Sequence, residues 1–446
     1  MIDFYEEYKK KLMTPDDAVK LIKDGDWIEY GQTASFAPAC DEALAKRKDE
    51  LHDVKIWCAI APHIPEAVKA DPEHKAFIYN TWHASADERR EIPLGYGYFS
   101  PQLYRDQGSY YQRGYAKCNV VMISTPPMDK FGNFSFALNN SCMQEAIDAA
   151  DRVIIEVIED KPTVFGMSND HINIKDVTAV VEGHRNTAIF PMQGITEADE
   201  KIAKIVFPYI EDGDTLQIGI GGMPNAIGLM IAESDLKDLG MHTEVMNDGY
   251  VKLYKAGVMN DSKKKIFRGK GIYSVCFGSR ELYDYMDYNM GMLSLPMGMV
   301  NDPFIIRQYD HFVSINGCIA CDLYGQVSSE SVGTRQISGT GGQLDFVTGA
   351  YMAEHGKSFL TMPAEFTDKN GNKHSNIKPI FTDGDIITTP RSQTQYLATE
   401  YGVAFLAGKT TWQRAEEIIG IAAPQYRDDL IKSAEKMHIW RSSNKR

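Results

Sequence analysis

The chain repeats itself, and the repetition limits its possible folds more than any single motif does. Near the start, Ala18-Val19-Lys20-Leu21-Ile22 reads as the end of a helix. It leads into Lys23-Asp24-Gly25-Asp26, the alternating run Trp27-Ile28-Glu29-Tyr30-Gly31 and, a few residues on, Pro38. Far downstream, Ile205-Val206-Phe207-Pro208-Tyr209-Ile210 leads into Glu211-Asp212-Gly213-Asp214, then Thr215-Leu216-Gln217-Ile218-Gly219 and Pro224. Both read as helix, Asp-Gly-Asp turn, strand, glycine and a loop closed by proline. A second echo pairs Asp129-Lys130-Phe131-Gly132-Asn133-Phe134-Ser135 with Asp322-Leu323-Tyr324-Gly325-Gln326-Val327-Ser328, each after an apolar run. Short apolar strands such as Arg152–Val157 alternate with helical patterns such as Cys142–Ala150, which calls for mostly parallel sheets covered on both faces. The expected fold class is α/β: two similar open domains with mostly parallel sheets, residues 1–195 and 196–446, joined near Phe190–Glu200. A ligand site is expected where strand ends of the two face each other.

A length of 446 residues exceeds what one hydrophobic core supports, in keeping with two domains. No apolar run has the length of a membrane span, and Met1-Ile2-Asp3-Phe4-Tyr5-Glu6-Glu7 is acidic where a signal peptide is basic and then apolar, so a cytoplasmic protein is expected. A net charge of −14 argues against nucleic acid or an anionic membrane as partner. Any anionic ligand must be held by local groups such as helix N-termini. Seven cysteines suit a reducing compartment. Cys318 and Cys321 have the spacing of a redox or zinc pair, but no second pair or histidine set completes a zinc site, and the run Phe312–Ala320 reads as a buried strand and its exit. Core thiols are expected there, and no metal.

The chemistry concentrates in Gly219-Ile220-Gly221-Gly222-Met223-Pro224-Asn225, followed downstream by Met241-His242-Thr243-Glu244-Val245. In a dinucleotide-binding turn the glycines cradle a pyrophosphate and the acid binds a ribose. In an acyl-transfer enzyme the acid is instead a nucleophile beside a coenzyme. The third glycine position of the dinucleotide pattern holds Pro224, which cannot donate to a phosphate but suits the first turn of a helix. The turn then ends in a helix N-terminus, fit for an anion or an oxyanion. Glu244 precedes Val245-Met246-Asn247-Asp248-Gly249, read as a strand breaking into a turn that exposes the acid at a sheet edge. A second loop, Ile337-Ser338-Gly339-Thr340-Gly341-Gly342-Gln343-Leu344-Asp345-Phe346, offers more backbone amides before a helix. The segment Thr410–Ile419 reads as a capped helix, and the tyrosine-rich Tyr104–Tyr115 as the wall of a pocket or an interface or, as readily, surface packing.

Taken together, Gly219–Ala226, His242-Thr243-Glu244, Asp322–Val327 and Ser338–Phe346 resemble the acetyl-CoA hydrolase/transferase family of CoA-transferases, and the likeness runs from Ala18–Lys23 and Trp82–Ser85 to Met437–Arg441. Within the family the likeness is to the butyryl-CoA:acetate and 4-hydroxybutyrate CoA-transferases. The resemblance implies a duplicated two-domain fold and ping-pong transfer through a glutamyl-CoA thioester. It implies Glu244, in the C-terminal domain, as nucleophile. Gly221, Gly222, Met223, Pro224, Asn225, Ile319 and Gly342 are the implied CoA contacts. CoA is then substrate and covalent intermediate, with no permanently bound cofactor. The other partners are acyl-CoA and short carboxylates, in a homodimer or higher homo-oligomer. Gln32, Phe99 and the Trp82-His83 segment are candidate acyl-pocket residues, and His83 reads equally as a structural histidine. An acyl-CoA hydrolase, a non-catalytic CoA or metabolite sensor and, further off, a dehydrogenase are the competing readings.

Overall fold

A computed structural model describes residues 3–444. Its backbone forms two compact units, one of Met1–Pro191, Glu244–Asp248 and Ile272–Val300, the other of Met192–Thr243, Gly249–Gly271 and Asn301–Arg446. The units interleave along the chain, so that the short stretch carrying Glu244 is grouped with the first.

The first unit is built on a seven-stranded sheet of β1 (Trp27–Gln32), β2 (Val54–Ala59), β3 (Phe77–Thr81), β4 (Tyr98–Phe99), β5 (Val120–Thr125), β6 (Arg152–Val157) and β7 (Ala179–Glu182). The order is β4-β3-β2-β1-β5-β6-β7, and every neighbouring pair is parallel. Every residue of β5 is buried, as expected of a strand covered on both faces. The chain runs outward from β1 through β4 and then restarts at β5 on the other side of β1. The sheet's topological switch point therefore lies at the carboxyl ends of β1 and β5, where open α/β sheets take their ligands.

The second unit has a six-stranded sheet of β8 (Thr215–Ile218), β9 (Gly240–Met241), β10 (Phe312–Gly317), β11 (Lys357–Thr361), β12 (Tyr396–Thr399) and β13 (Gly402–Phe405). Its order is β9-β8-β10-β11-β12-β13, parallel except for the closing β12–β13 pair. Its switch point lies between β8 and β10. Phe312, at the amino end of β10, stacks on Phe346 with ring centroids 6.2 Å apart, and the His242 imidazole meets the Tyr309 hydroxyl at 2.9 Å.

The duplication read from sequence is reproduced hydrogen bond by hydrogen bond. Gly25 and Gly213 take φ of 77° and 81°, values that favour glycine. The Asp26 carboxylate accepts the Lys23 amide at 2.7 Å and the Asp214 carboxylate accepts the Glu211 amide at 2.8 Å. Asp24 accepts the His52 amide and Asp212 that of Lys237, each at 2.8 Å. The second echo behaves alike: Asp129 Oδ1 accepts from Phe131 and Asn133, and Asp322 Oδ1 from Tyr324 and Gln326, around Gly132 and Gly325 at φ of 84° and 82°. The repeats diverge in what they support. Asp26 pairs with Arg152 at 2.9 Å, whereas the nearest cationic candidate for Asp214 is His311 at 3.8 Å.

Inside the first sheet, Glu29 is fully buried, accepting the Gly31 amide at 2.8 Å and the Tyr111 hydroxyl. Burial pushes its carboxyl up to about 8, with the two hydrogen bonds pulling partly the other way. Its unfolded value is the ordinary one of 4.5. Between these values the native state holds a proton that the unfolded chain has released. This contribution is therefore fully present below the unfolded value and lost as pH rises through about 8, at up to about 1.4 kcal/mol per pH unit. Glu29→Gln is expected to flatten that slope. Urea unfolding of both proteins across pH 5–9 checks it, because every other titrating group cancels in the difference.

Candidate active site

The proposed CoA contacts all fall at the carboxyl end of the second sheet. Gly219 continues the ladder from β8, donating its amide to the Ile315 carbonyl at 2.8 Å. A Cβ at Gly219 would stand 3.1 Å from Asn316 Oδ1. Gly221 takes φ of 124°, open in practice only to glycine, and begins the helix Gly222–Ala232 without a side-chain cap. A Cβ on Gly222 would meet the Asp199 carboxylate and, at 2.9 Å, the Gly194 carbonyl oxygen. Pro224 is the third helical residue, so its missing N–H costs no intrahelical bond. The Asn225 amide makes the first helical bond, to the Gly221 carbonyl at 3.0 Å, and its side chain ties back to the Gln193 carbonyl at 2.9 Å. The first-turn amides are thus presented at the sheet's switch point, an arrangement suited to an anion.

Ile319 follows β10 on the other side of the same switch point. Its amide is committed to the Ser328 carbonyl at 2.9 Å, leaving its side chain and carbonyl as the groups it can offer. Gly342 caps the helix Gln343–Met352, which packs on β10 and β11, again without a side-chain cap. Buried Glu330 braces this second glycine loop, accepting the Thr340 hydroxyl at 2.8 Å. Burial holds its carboxyl above the usual range. Cys318 is half-buried and Cys321 buried. Burial raises both thiols, that of Cys318 to about 12, which matches the expected core thiols.

Glu244 belongs to the first unit. It is half-buried and lies immediately before the two-residue strand Val245–Met246, which pairs in parallel with Val275–Cys276. Its backbone carbonyl accepts the Ser274 amide at 3.1 Å and that of Val275 at 3.0 Å. The expectation of a strand breaking into an exposed turn is corrected here: the strand runs into the helix Asp248–Lys255. The Asp248 carboxylate accepts the Ser279 amide at 3.1 Å and its hydroxyl, and a side chain on Gly278 would strike it. The local sequence hid the helix because Asn247-Asp248-Gly249 is a common turn composition.

Sequence reasoning left Tyr104 undecided, within a tyrosine-rich stretch read as a pocket or interface wall or as surface packing. This tyrosine is buried, and its phenol is held far above its ordinary value, first by burial and then by the nearby Glu244 carboxylate. Its hydroxyl lies 2.6 Å from Ser141 Oγ. Ser141 donates to Asn139 Oδ1, and Asn139 Nδ2 donates to the Gln32 carbonyl at 3.2 Å. A buried polar relay thus leads from beside Glu244 to the end of β1. The available clue was the polar run Asn139-Asn140-Ser141 next to apolar Phe136-Ala137-Leu138. Gln32 therefore sits at the first sheet's switch point. Phe99 ends the edge strand β4, and Trp82 and His83 follow β3, both displaced from that point. Burial, with the Arg89 cation nearby, pushes His83 down to about 4, so it is neutral at pH 7.

Among the described residues no group of three or more His, Cys, Asp and Glu side chains is placed to hold a metal ion, and no helix is long and apolar enough to cross a membrane. Two family models match the chain: the acetyl-CoA hydrolase/transferase N-terminal domain over residues 1–206 and its C-terminal domain over residues 278–434. The chain belongs to the acetyl-CoA hydrolase/transferase family. It is 44% identical to a butyryl-CoA:acetate CoA-transferase of Anaerostipes caccae, covering 100% of both chains. It is 33% identical to a 4-hydroxybutyrate coenzyme A transferase of Clostridium kluyveri, over 98% of this chain and 100% of that one. Among solved structures, RipA from Yersinia pestis superposes with a TM-score of 0.89 at 32% identity, covering 98% of this chain and 100% of the other.

Proposed function

We propose that the protein is a CoA-transferase that moves CoA between a short-chain acyl-CoA, such as butyryl-CoA, and a short carboxylate, such as acetate. The observation that carries this reading is the end-to-end match to a butyryl-CoA:acetate CoA-transferase. Glu244 is the proposed nucleophile. Gly221, Gly222, Met223, Pro224, Asn225, Ile319 and Gly342 are proposed to hold CoA, and their common position at one sheet's switch point supports that assignment.

The steps follow from thioester chemistry. A Glu244 carboxylate oxygen attacks the acyl carbon, the C–S bond breaks, and an acyl-glutamyl anhydride and CoA thiolate result. The thiolate then attacks the glutamyl carbonyl, releasing the first acid and leaving CoA in thioester linkage to Glu244. An incoming carboxylate attacks that thioester, and the thiolate returns to its acyl carbon. Over the cycle one acyl-CoA thioester is consumed and another is formed, so the exchange needs no ATP and no resident cofactor, and CoA serves as substrate and transient adduct. The reading extends to a cytoplasmic enzyme of fermentative butyrate and fatty acid metabolism, working as a homodimer or higher homo-oligomer. It also takes residues 1–195 and 196–446 as the two evolutionary halves.

Butyryl-CoA supplied with acetate should yield acetyl-CoA and butyrate, with little free thiol when acetate is omitted. Free thiol released at the same rate with or without acetate makes the protein a hydrolase, the other activity in the family's description. Neither product from any short acyl-CoA makes it a binding protein.

A further inference from the structure

The loop after β1 is unusual in three ways. Thr33 takes φ of 48°, a conformation that a β-branched residue rarely adopts, and its buried hydroxyl finds no hydrogen-bond partner in the protein. The loop lies at the switch point of the first sheet. Finally, a buried lysine holds it. Lys161, four residues beyond β6, donates from Nζ to the Ala34 carbonyl at 2.6 Å, to the Ser124 carbonyl at 3.0 Å and to Ser124 Oγ. Ser124, near the end of β5, donates in turn to the Phe36 carbonyl at 2.7 Å. Strained backbone held in place by surrounding structure is characteristic of sites where shape matters for function.

A buried ammonium is an expensive brace. The charged groups acting on it are Glu156 on β6 and, more weakly, Asp160. Glu156 is itself engaged by the amides of Ala39 and Cys40 at 3.1 and 3.0 Å, and Asp160 by Arg280 at 3.0 Å. Burial outweighs the attraction of both and pushes the lysine down to about 7. An apolar side chain there would remove the desolvation penalty of the charge but leave the Ala34 carbonyl without its clamp. The loop it holds, Thr33-Ala34-Ser35-Phe36, is buried and carries no charged side chain, which suits a short acyl chain better than a phosphate. The preceding residue, Gln32, is tied through Asn139 and Ser141 to Tyr104 beside Glu244.

We propose that Lys161 is a positioning residue for substrate choice: by clamping the Ala34 and Ser124 carbonyls it holds the Thr33–Phe36 loop in the shape that discriminates among short acyl groups. The inference rests on the transferase reading above. The test compares wild type, Lys161→Met and Ser124→Ala, all full length, with acetyl-, butyryl- and hexanoyl-CoA against a common carboxylate acceptor. Lys161→Met is expected to shift the ratio of kcat/KM for butyryl- over acetyl-CoA by about tenfold or more, the scale set by methylene-sized changes in a pocket. In wild type that ratio should change with a midpoint near pH 7, following the lysine, and in Lys161→Met it should be flat across that range. Ser124→Ala keeps the lysine, removes the hydroxyl bonds to Phe36 and Lys161, and should shift the ratio in the same direction even if Lys161→Met does not fold. Equal losses for all acyl-CoAs, or ratios within about twofold of wild type, overturn the inference while the transferase reading stands. Absence of transfer by wild type overturns both.

Discussion

Glu244→Ala is expected to lower CoA transfer by roughly four to six orders of magnitude, the loss seen when the nucleophile of a covalent mechanism is deleted. The fold should survive. It is the backbone carbonyl of Glu244, not its side chain, that accepts the Ser274 and Val275 amides, and alanine keeps both bonds. The side chain is only half-buried, so its removal opens no core cavity. Glu244→Asp separates placement from chemistry. The carboxylate remains but sits back by one methylene, and a misplacement near 1 Å costs about a hundredfold. Transfer should fall steeply, with slow hydrolysis left where water reaches the misaligned anhydride. Initial rates of acetyl-CoA and free-thiol formation, alongside thermal melts, check both variants. Transfer near the wild-type rate in a folded Glu244→Ala protein would remove Glu244 from the mechanism.

The second large effect is expected at Gly222. Its backbone sits where a Cβ would strike the Asp199 carboxylate and the Gly194 carbonyl. Asp199 is not free to yield, because it closes a capping box with Thr196, accepting that residue's amide at 2.9 Å and its hydroxyl at 2.7 Å. In Gly222→Ala the start of the helix Gly222–Ala232 must therefore move, and its uncapped amides move with it. A shift of that order should cost about a hundredfold in kcat/KM for the acyl-CoA. Alanine is otherwise a better helix former than glycine, so the melting temperature should change little. Steady-state kinetics with acyl-CoA varied at saturating acetate measure the effect. A value within about threefold of wild type would mean that this turn does not hold CoA.

What the chain disclosed before its structure was known follows from where the information is local. The Asp-Gly-Asp turns and the Asp129 and Asp322 turns are closed by bonds between residues at most four apart, so their composition alone specifies them. The parallel sheets were legible because β5 and β10 are short, largely apolar runs, long enough for a strand but too short for most helices. The glycine turn could be read because φ of 124° at Gly221 and the close neighbours of Gly222 each demand glycine. By contrast, the grouping of Glu244 with the first unit depends on its pairing with Ser274 and Val275, thirty or so residues away. Lys161 was invisible, and Tyr104 undecided, for the same reason. A tyrosine in an aperiodic stretch and a lysine in a loop look like surface residues until the fold encloses them.

The most direct test follows the CoA itself. Wild-type protein incubated with butyryl-CoA without acceptor, quenched in acid and digested, should show one peptide heavier by CoA less water, carrying the new thioester at Glu244. Adding acetate before the quench should discharge it and form acetyl-CoA. A thioester on any other residue, or acyl exchange that proceeds with no enzyme-bound CoA at all, would contradict the account.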